Sequence, residues 1–181
     1  MKKILITGVY ASGKTSLIKL LEERLIEQGK NVLVIQEVAR SCPLKLNTEQ
    51  NLNSTFWLIM SQIENEINSY DNKYDYIIFD RGIPDIISHT MIVLGDSKED
   101  LLIMDKLKTL GISSLKNFDH IFSTKKSDNY LIEKDQLRID NRSLQELLEK
   151  HHFEYLDEIN CNMTILDEHN TDRLNHILNL I

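Results

Sequence analysis

The sequence predicts an α/β fold with three layers: a five-stranded parallel sheet with helices on both faces, in one domain over residues 1–181. Three observations carry that expectation. Short apolar runs alternate with longer stretches of helical spacing, which is the pattern of strand–helix–strand units joined by right-handed crossovers. The runs are continuous rather than alternating, as suits parallel strands covered on both faces. The first run leads directly into Gly8-Val9-Tyr10-Ala11-Ser12-Gly13-Lys14-Thr15, a glycine-spaced turn with a helical pattern behind it.

The elements follow in order. Ile4-Leu5-Ile6 reads as a buried strand ending at Gly8. Thr15 to Gln28 reads as a helix with Leu17, Leu20, Leu21 and Leu25 on its apolar side and Gly29 as its stop. Asn31 to Ile35 is the second strand, and a loop holding Pro43 follows it. A long helix is expected from about Thr48 to Tyr70, with Phe56, Ile59, Met60, Ile63, Ile67 and Tyr70 as its apolar face. Tyr76 to Phe79 is a third strand that runs into Asp80-Arg81-Gly82. Helices are expected over Asp85–Leu94 and Lys98–Leu110, with Gly95 and Gly111 as breaks. His120 to Ser123 and Met163 to Leu166 are the last two strands. Between them, Ser143-Leu144-Gln145-Glu146 has capping-box spacing and opens a helix to about Ile159. Asn170 or Thr171 caps a final helix carrying Leu174, Ile177 and Leu178.

Composition narrows the function. Hydrophobic residues make up 41% and charged residues 27%, enough to bury one core. A formal net charge of -7 argues against a general nucleic-acid partner, whose phosphates favour a basic surface. It leaves room for a nucleotide, which a few local cations and amides can hold. No run of 18 apolar residues occurs, so no membrane span is expected, and the apolar run after Met1-Lys2-Lys3 is too short for a signal peptide. Cys42 and Cys161 stand apart and read as reduced thiols, consistent with a cytoplasmic location.

The glycine-spaced turn satisfies G-x-x-x-x-G-K-[ST] at Gly8, Gly13, Lys14 and Thr15. Its chemistry explains its composition. Glycines let the backbone close around an anion, and successive N–H groups and the helix N-terminus then point at phosphates. Lys14 is expected on the β- and γ-phosphates of ATP and the Thr15 hydroxyl on Mg²⁺, with Tyr10, Ala11, Ser12 and Ser16 completing the binding loop. A GTPase reading fails, because Asp80-Arg81-Gly82-Ile83 lacks D-x-x-G spacing and Thr124-Lys125-Lys126-Ser127 lacks the aspartate of N/T-K-x-D.

The remaining motifs resemble those of small-molecule P-loop kinases. Glu37-Val38-Ala39-Arg40 matches E-x-A-R after the second strand, and Asp80-Arg81-Gly82-Ile83-Pro84-Asp85 matches D-R-G-x-x-D after the third. The likeness is to AAA-type, ribosylnicotinamide-kinase-like proteins and to thymidylate kinases. It implies a P-loop NTPase fold with a lid at about 124–142 and phosphoryl transfer from ATP to a small-molecule acceptor. In that scheme Glu37 orients the acceptor hydroxyl, and Asp80 shares the metal with Thr15. Arg81, Arg138 and Arg142, with Arg40 as a further candidate, hold the charged phosphoryl group. An ATPase or nucleotide-sensing module without an acceptor is the alternative. Trp57 could stack on a base but reads more simply as packing. His151-His152 reads as solvated surface and His120 as structural. Pairing of the long helices into a homodimer is left open.

Overall fold

The computed structural model describes residues 1–70, 73–126, 142–166 and 169–181. Among them five strands form one parallel sheet: β1 (Lys2–Gly8), β2 (Val32–Ile35), β3 (Tyr76–Asp80), β4 (His120–Thr124) and β5 (Thr164–Leu166). Six helices accompany it: α1 (Lys14–Glu27), α2 (Leu52–Asn68), α3 (Ile83–Val93), α4 (Lys98–Leu115), α5 (Arg142–Glu158) and α6 (Asn170–Leu180). The strand order is β2-β3-β1-β4-β5. The chain thus leaves β1 toward one edge and later crosses to the other, so a crevice opens at the carboxyl end of β1.

Side chains of β1 alternate between two cores, as the pleat requires. Ile4 and Ile6 pack with Leu17, Leu21 and Leu25 of α1 and with Ile177 of α6. Leu5 faces the opposite layer, with Phe79 of β3, Leu58 and Ile59 of α2, Ile83 and Ile87 of α3, Leu107 of α4 and Tyr155 of α5. The strands are buried most deeply at the centre of the sheet. β2 departs from the expected two-sided burial: it is an edge strand, and all four of its residues are only partly buried. Leu20 of α1 is likewise exposed.

The long helix shows the largest difference from expectation. It starts at Leu52, after a separate short turn at Asn47–Glu49. Its Asn51 cap accepts from the amides of Asn53 and Ser54. Of the six residues expected on its buried face, only Ile59 is fully buried. Phe56, Met60, Ile67 and Tyr70 are exposed, whereas Ser54, Thr55, Gln62 and Glu66 point inward. The cause is polar. Glu66 accepts from Ser114 and Gln62, and Gln50 donates to Thr55 and Thr90, so this layer is stitched by hydrogen bonds at positions where periodicity suggested packing.

Two other helix expectations change. α3 begins at Ile83, with Pro84 in its first turn, where a missing N–H costs nothing. α4 does not break at Gly111 but continues to Leu115. The glycine is needed for space: a Cβ there would lie 2.2 Å from the Tyr155 hydroxyl and 2.7 Å from Ile87 Cδ1. Tyr155 crosses beneath α4 to donate to the Lys108 carbonyl at 3.0 Å. Gly111→Ala is therefore expected to destabilise the fold by about 1–3 kcal/mol through overpacking, read as a lower urea midpoint at unchanged slope. A midpoint equal to wild type would show that α4 and α5 have slack.

Candidate active site

Sheet register builds the site. Gly8 lies beside Thr124 of β4, and Ile6 beside Asp80 of β3. The loop after β1 therefore leaves the sheet between two polar strand ends. Gly8 must be glycine. Its φ is +127°, and a Cβ would sit 2.4 Å from the Thr124 carbonyl oxygen. Ala11 and Gly13 also hold left-handed backbone, φ 53° and 82°, and curl the loop into a concavity ahead of α1. Ser12 fastens the curl by donating to the Val9 carbonyl at 2.8 Å and meeting the Thr124 hydroxyl at 2.7 Å.

Lys14 is buried in this curl, where Nζ donates to the Val9 carbonyl and, at 3.1 Å, to Ser12 Oγ. Burial, seconded by the Arg81 charge, pushes its ammonium down to about 7, against the pull of Asp85, Asp80 and Glu37. Thr15 and Ser16 lie in the first turn of α1 and are exposed. Asp80 closes β3 at 4% exposure, and burial pushes its carboxyl up against the opposing charges of Arg81 and Lys14. Thr15 and Asp80 offer the hard oxygen donors that suit Mg²⁺, whose remaining ligands are commonly water and phosphate oxygens.

Arg81 connects this loop to a neighbouring cleft. It sits in left-handed backbone, φ 72°. Its Nε lies 2.7 Å from Glu37 Oε1, and one terminal nitrogen donates to the Gly8 carbonyl at 3.0 Å. Arg40, more exposed, reaches the other oxygen of Glu37 at 3.7 Å. Glu37, Arg40 and Arg81 line a half-open cleft together with Tyr10, Gln50 and His89. Apolar walls and a few convergent polar groups are what a small-molecule site requires. Desolvation there, with Arg81 adding to it, pushes His89 down to about 4, so the imidazole is neutral near pH 7.

The sequence-expected residues Gly8, Lys14, Glu37, Asp80 and Arg81 thus come together. Others do not. Trp57 of α2 packs against the core and is not among the residues lining the cleft. Arg142 stands exposed at the start of α5, while Arg138 and the lid around it lie outside the described residues. Ser143 lies within α5 instead of preceding it, and its neighbour Gln145 donates to the Tyr10 carbonyl of the loop at 2.7 Å.

Three residues escaped the sequence reading. Asp85 was visible only as the last letter of a motif. It accepts from the Thr7 hydroxyl at 2.6 Å and from the amides of Gly8 and Gly82 at 3.0 Å each. Burial would raise its carboxyl, but His152, Arg81, Lys14 and the Thr7 hydrogen bond outweigh that and hold it below the ordinary range. His152, expected on the surface, is 2% exposed, with Nε2 3.4 Å from the Thr7 and Ser123 hydroxyls and Nδ1 3.3 Å from that of Ser88. Its position on the inner side of α5, four residues after Leu148, was the available signal. Arg173 of α6 is fully buried against the phosphate loop, and a lone arginine in a terminal helix gives no such signal.

A family model described as an AAA domain matches residues 3–173. The chain belongs to that family. No curated protein matches it by sequence. Among solved structures, NadR in complex with NR superposes with a TM-score of 0.73 at 18% identity, over 98% of this chain and 50% of NadR. This chain therefore spans half the length of that protein. Thymidylate kinase from Candida albicans gives a TM-score of 0.71 at 16% identity, over 99% of this chain and 90% of the kinase. Deoxyadenosine kinase from M. mycoides gives 0.60 at 16% identity, over 98% and 97%. At such identities the likeness establishes the fold: this family member has the P-loop α/β architecture seen in nucleoside and nucleotide kinases. Among its described residues, no helix is long and apolar enough to cross a membrane.

Two predictions follow from this geometry. Asp85→Asn keeps the shape but removes the charge that Arg81 faces and half of the acceptor capacity. It should cost about 3 kcal/mol or more in unfolding free energy, measured by denaturant titration; a loss near zero would mean the network repacks without its carboxylate. The second concerns Lys14. Its unfolded value is 10.5 and its folded value about 7, so between these the unfolded chain binds the extra proton and ligand-free stability rises with pH. Phosphate oxygens at Nζ restore the charge. ATP binding at about pH 8 should then take up a proton, detected by calorimetry in buffers of different ionisation enthalpy. Binding without uptake would show that Lys14 does not meet the phosphates.

Proposed function

We propose that this protein transfers the γ-phosphoryl group of ATP, with Mg²⁺, to a hydroxyl of a nucleoside, a nucleotide or a related small metabolite bound in the cleft beside the phosphate loop. The observation that carries the reading is the Glu37–Arg81 pair, which stands between the loop and the cleft and lines the latter. An ATPase that only hydrolyses or senses nucleotide has no need of a second cleft holding a carboxylate.

In this reading the loop amides and Lys14 hold the β- and γ-phosphates, and the hydroxyl of Thr15 and the carboxylate of Asp80 hold the metal. The metal supplies charge neutralisation on the phosphate oxygens. The acceptor hydroxyl lies against Glu37, which takes its proton as oxygen attacks phosphorus; the new O–P bond forms as the bond to the β-phosphate oxygen breaks, and ADP leaves. Arg81 holds Glu37 in place and faces the group in flight, where its planar fork suits phosphate oxygens. Neutral His89 and the amides of the cleft contact the acceptor body. Arg142, at the start of α5, is the candidate for covering the phosphates and excluding water.

The test is ADP release from ATP and Mg²⁺ across a panel of nucleosides, nucleoside monophosphates and ribosylated cofactor precursors. ADP production that depends on one acceptor class supports the kinase, and slow release indifferent to the panel supports the ATPase. With the active acceptor, Glu37→Gln should lower kcat by about 10²-fold or more while ATP affinity stays near wild type. Equal losses in both would remove Glu37 from the acceptor side.

A further inference from the structure

The phosphate loop is gripped from behind by the C-terminal helix. Arg173, at 0% exposure, donates through one terminal nitrogen to the Ser12 carbonyl and, at 3.0 Å, to Asn170 Oδ1. Its other terminal nitrogen reaches the Lys125 carbonyl at 3.4 Å. Asn170 in turn donates through Nδ2 to the Gly13 carbonyl at 3.1 Å. Two adjacent loop carbonyls are therefore held by two side chains of α6.

Peptide geometry makes this more than packing. In a trans peptide the C=O and the following N–H lie in one rigid plane and point in opposite directions within it. The Ser12 carbonyl shares its plane with the Gly13 amide, and the Gly13 carbonyl shares its plane with the Lys14 amide. Holding both oxygens toward α6 turns both N–H groups the other way, into the concavity of the loop. Glycine at position 13, with φ 82°, would otherwise let these planes rotate at little cost. The Gly13 carbonyl is further fixed by the Leu17 amide at 3.0 Å, the first hydrogen bond of α1.

We infer that Asn170 and Arg173 are positioning residues for triphosphate binding: they orient the Gly13 and Lys14 amides that receive the phosphates, without touching the nucleotide. This rests on the reading of Gly8–Thr15 as the phosphate loop. A guanidinium is required because it must span the Ser12 and Lys125 carbonyls and the Asn170 oxygen at fixed angles, which an ammonium cannot do from one point.

The experiment measures MgATP affinity by calorimetry and the amide resonances of Gly13 and Lys14 by ¹⁵N NMR, in wild type, Asn170→Ala and Arg173→Lys. Thermal melts establish that each variant is folded. Expected are affinities weaker by about tenfold in each variant, the scale of one well-placed hydrogen bond, and a reduced ATP-induced shift of both amides. Arg173→Lys keeps the charge, so wild-type affinity in that variant would mean that charge alone matters and would overturn the inference. Should Arg173→Lys fail to fold, Asn170→Ala decides: unchanged affinity and unchanged amide shifts overturn it. A wild type that binds no triphosphate sinks the phosphate-loop reading itself, a result distinct from variants that bind as well as wild type.

Discussion

Between the end of β1 and the first turn of α3, the Asp85 carboxylate gathers the Gly8 amide, the Gly82 amide and the Thr7 hydroxyl, with an Arg81 nitrogen 3.6 Å away. Two of these donors belong to the approach to the phosphate loop, and two to the turn that presents Arg81. A buried carboxylate is tolerable only when its oxygens are satisfied, and here the demand for satisfaction fixes the spacing of the two loops. The left-handed turn at Arg81 would be costly on its own. It is held by Asp85 from one side and by the Arg81 amide donating to the Ile6 carbonyl at 3.0 Å from the other.

From that point charges alternate outward. Asp85 faces Arg81, Arg81 faces Glu37, and Glu37 faces Arg40. Each member restrains the next, so the carboxylate at the cleft is held by a chain rooted in the core. Lys14 lies to the side of this series, folded onto its own loop with its charge disfavoured by burial. On the proposed reading, such a site holds its acceptor side in place and leaves Lys14 to be charged by an anion. Such preorganisation lets binding energy go toward the reaction instead of toward assembling the residues.

Much of this was legible in the sequence because it depends on local rules. Apolar runs located the strands, and one glycine-spaced turn located the loop between β1 and α1. Glu37, Asp80 and Arg81 stood out through motifs that resemble those of small-molecule P-loop kinases, at strand ends, where open sheets place ligands. What could not be read was set by contacts distant in sequence. His152 is buried by hydroxyls that come from positions 7, 88 and 123. The inward side of α2 is polar because Glu66 finds Ser114 and Gln62 there, which hydrophobic periodicity alone cannot register. Gly111 looked like a break because its true reason, the Tyr155 hydroxyl, is 44 residues away and invisible to local pattern.

Among the described residues, those that line the cleft lie between Tyr10 and His89, whereas the groups that grip the phosphate loop from outside come from Thr124, Gln145, Asn170 and Arg173. Arg81 and Asp85 serve both, lining the cleft and holding Gly8, while the outer supports come from the later part of the chain. Exchange of the segment between Val38 and Gln62 with that of a relative would remodel the cleft and leave the loop's outer supports intact. On the proposed reading, the acceptor pocket can then diverge by replacement of that segment while the side chains behind the loop stay as they are.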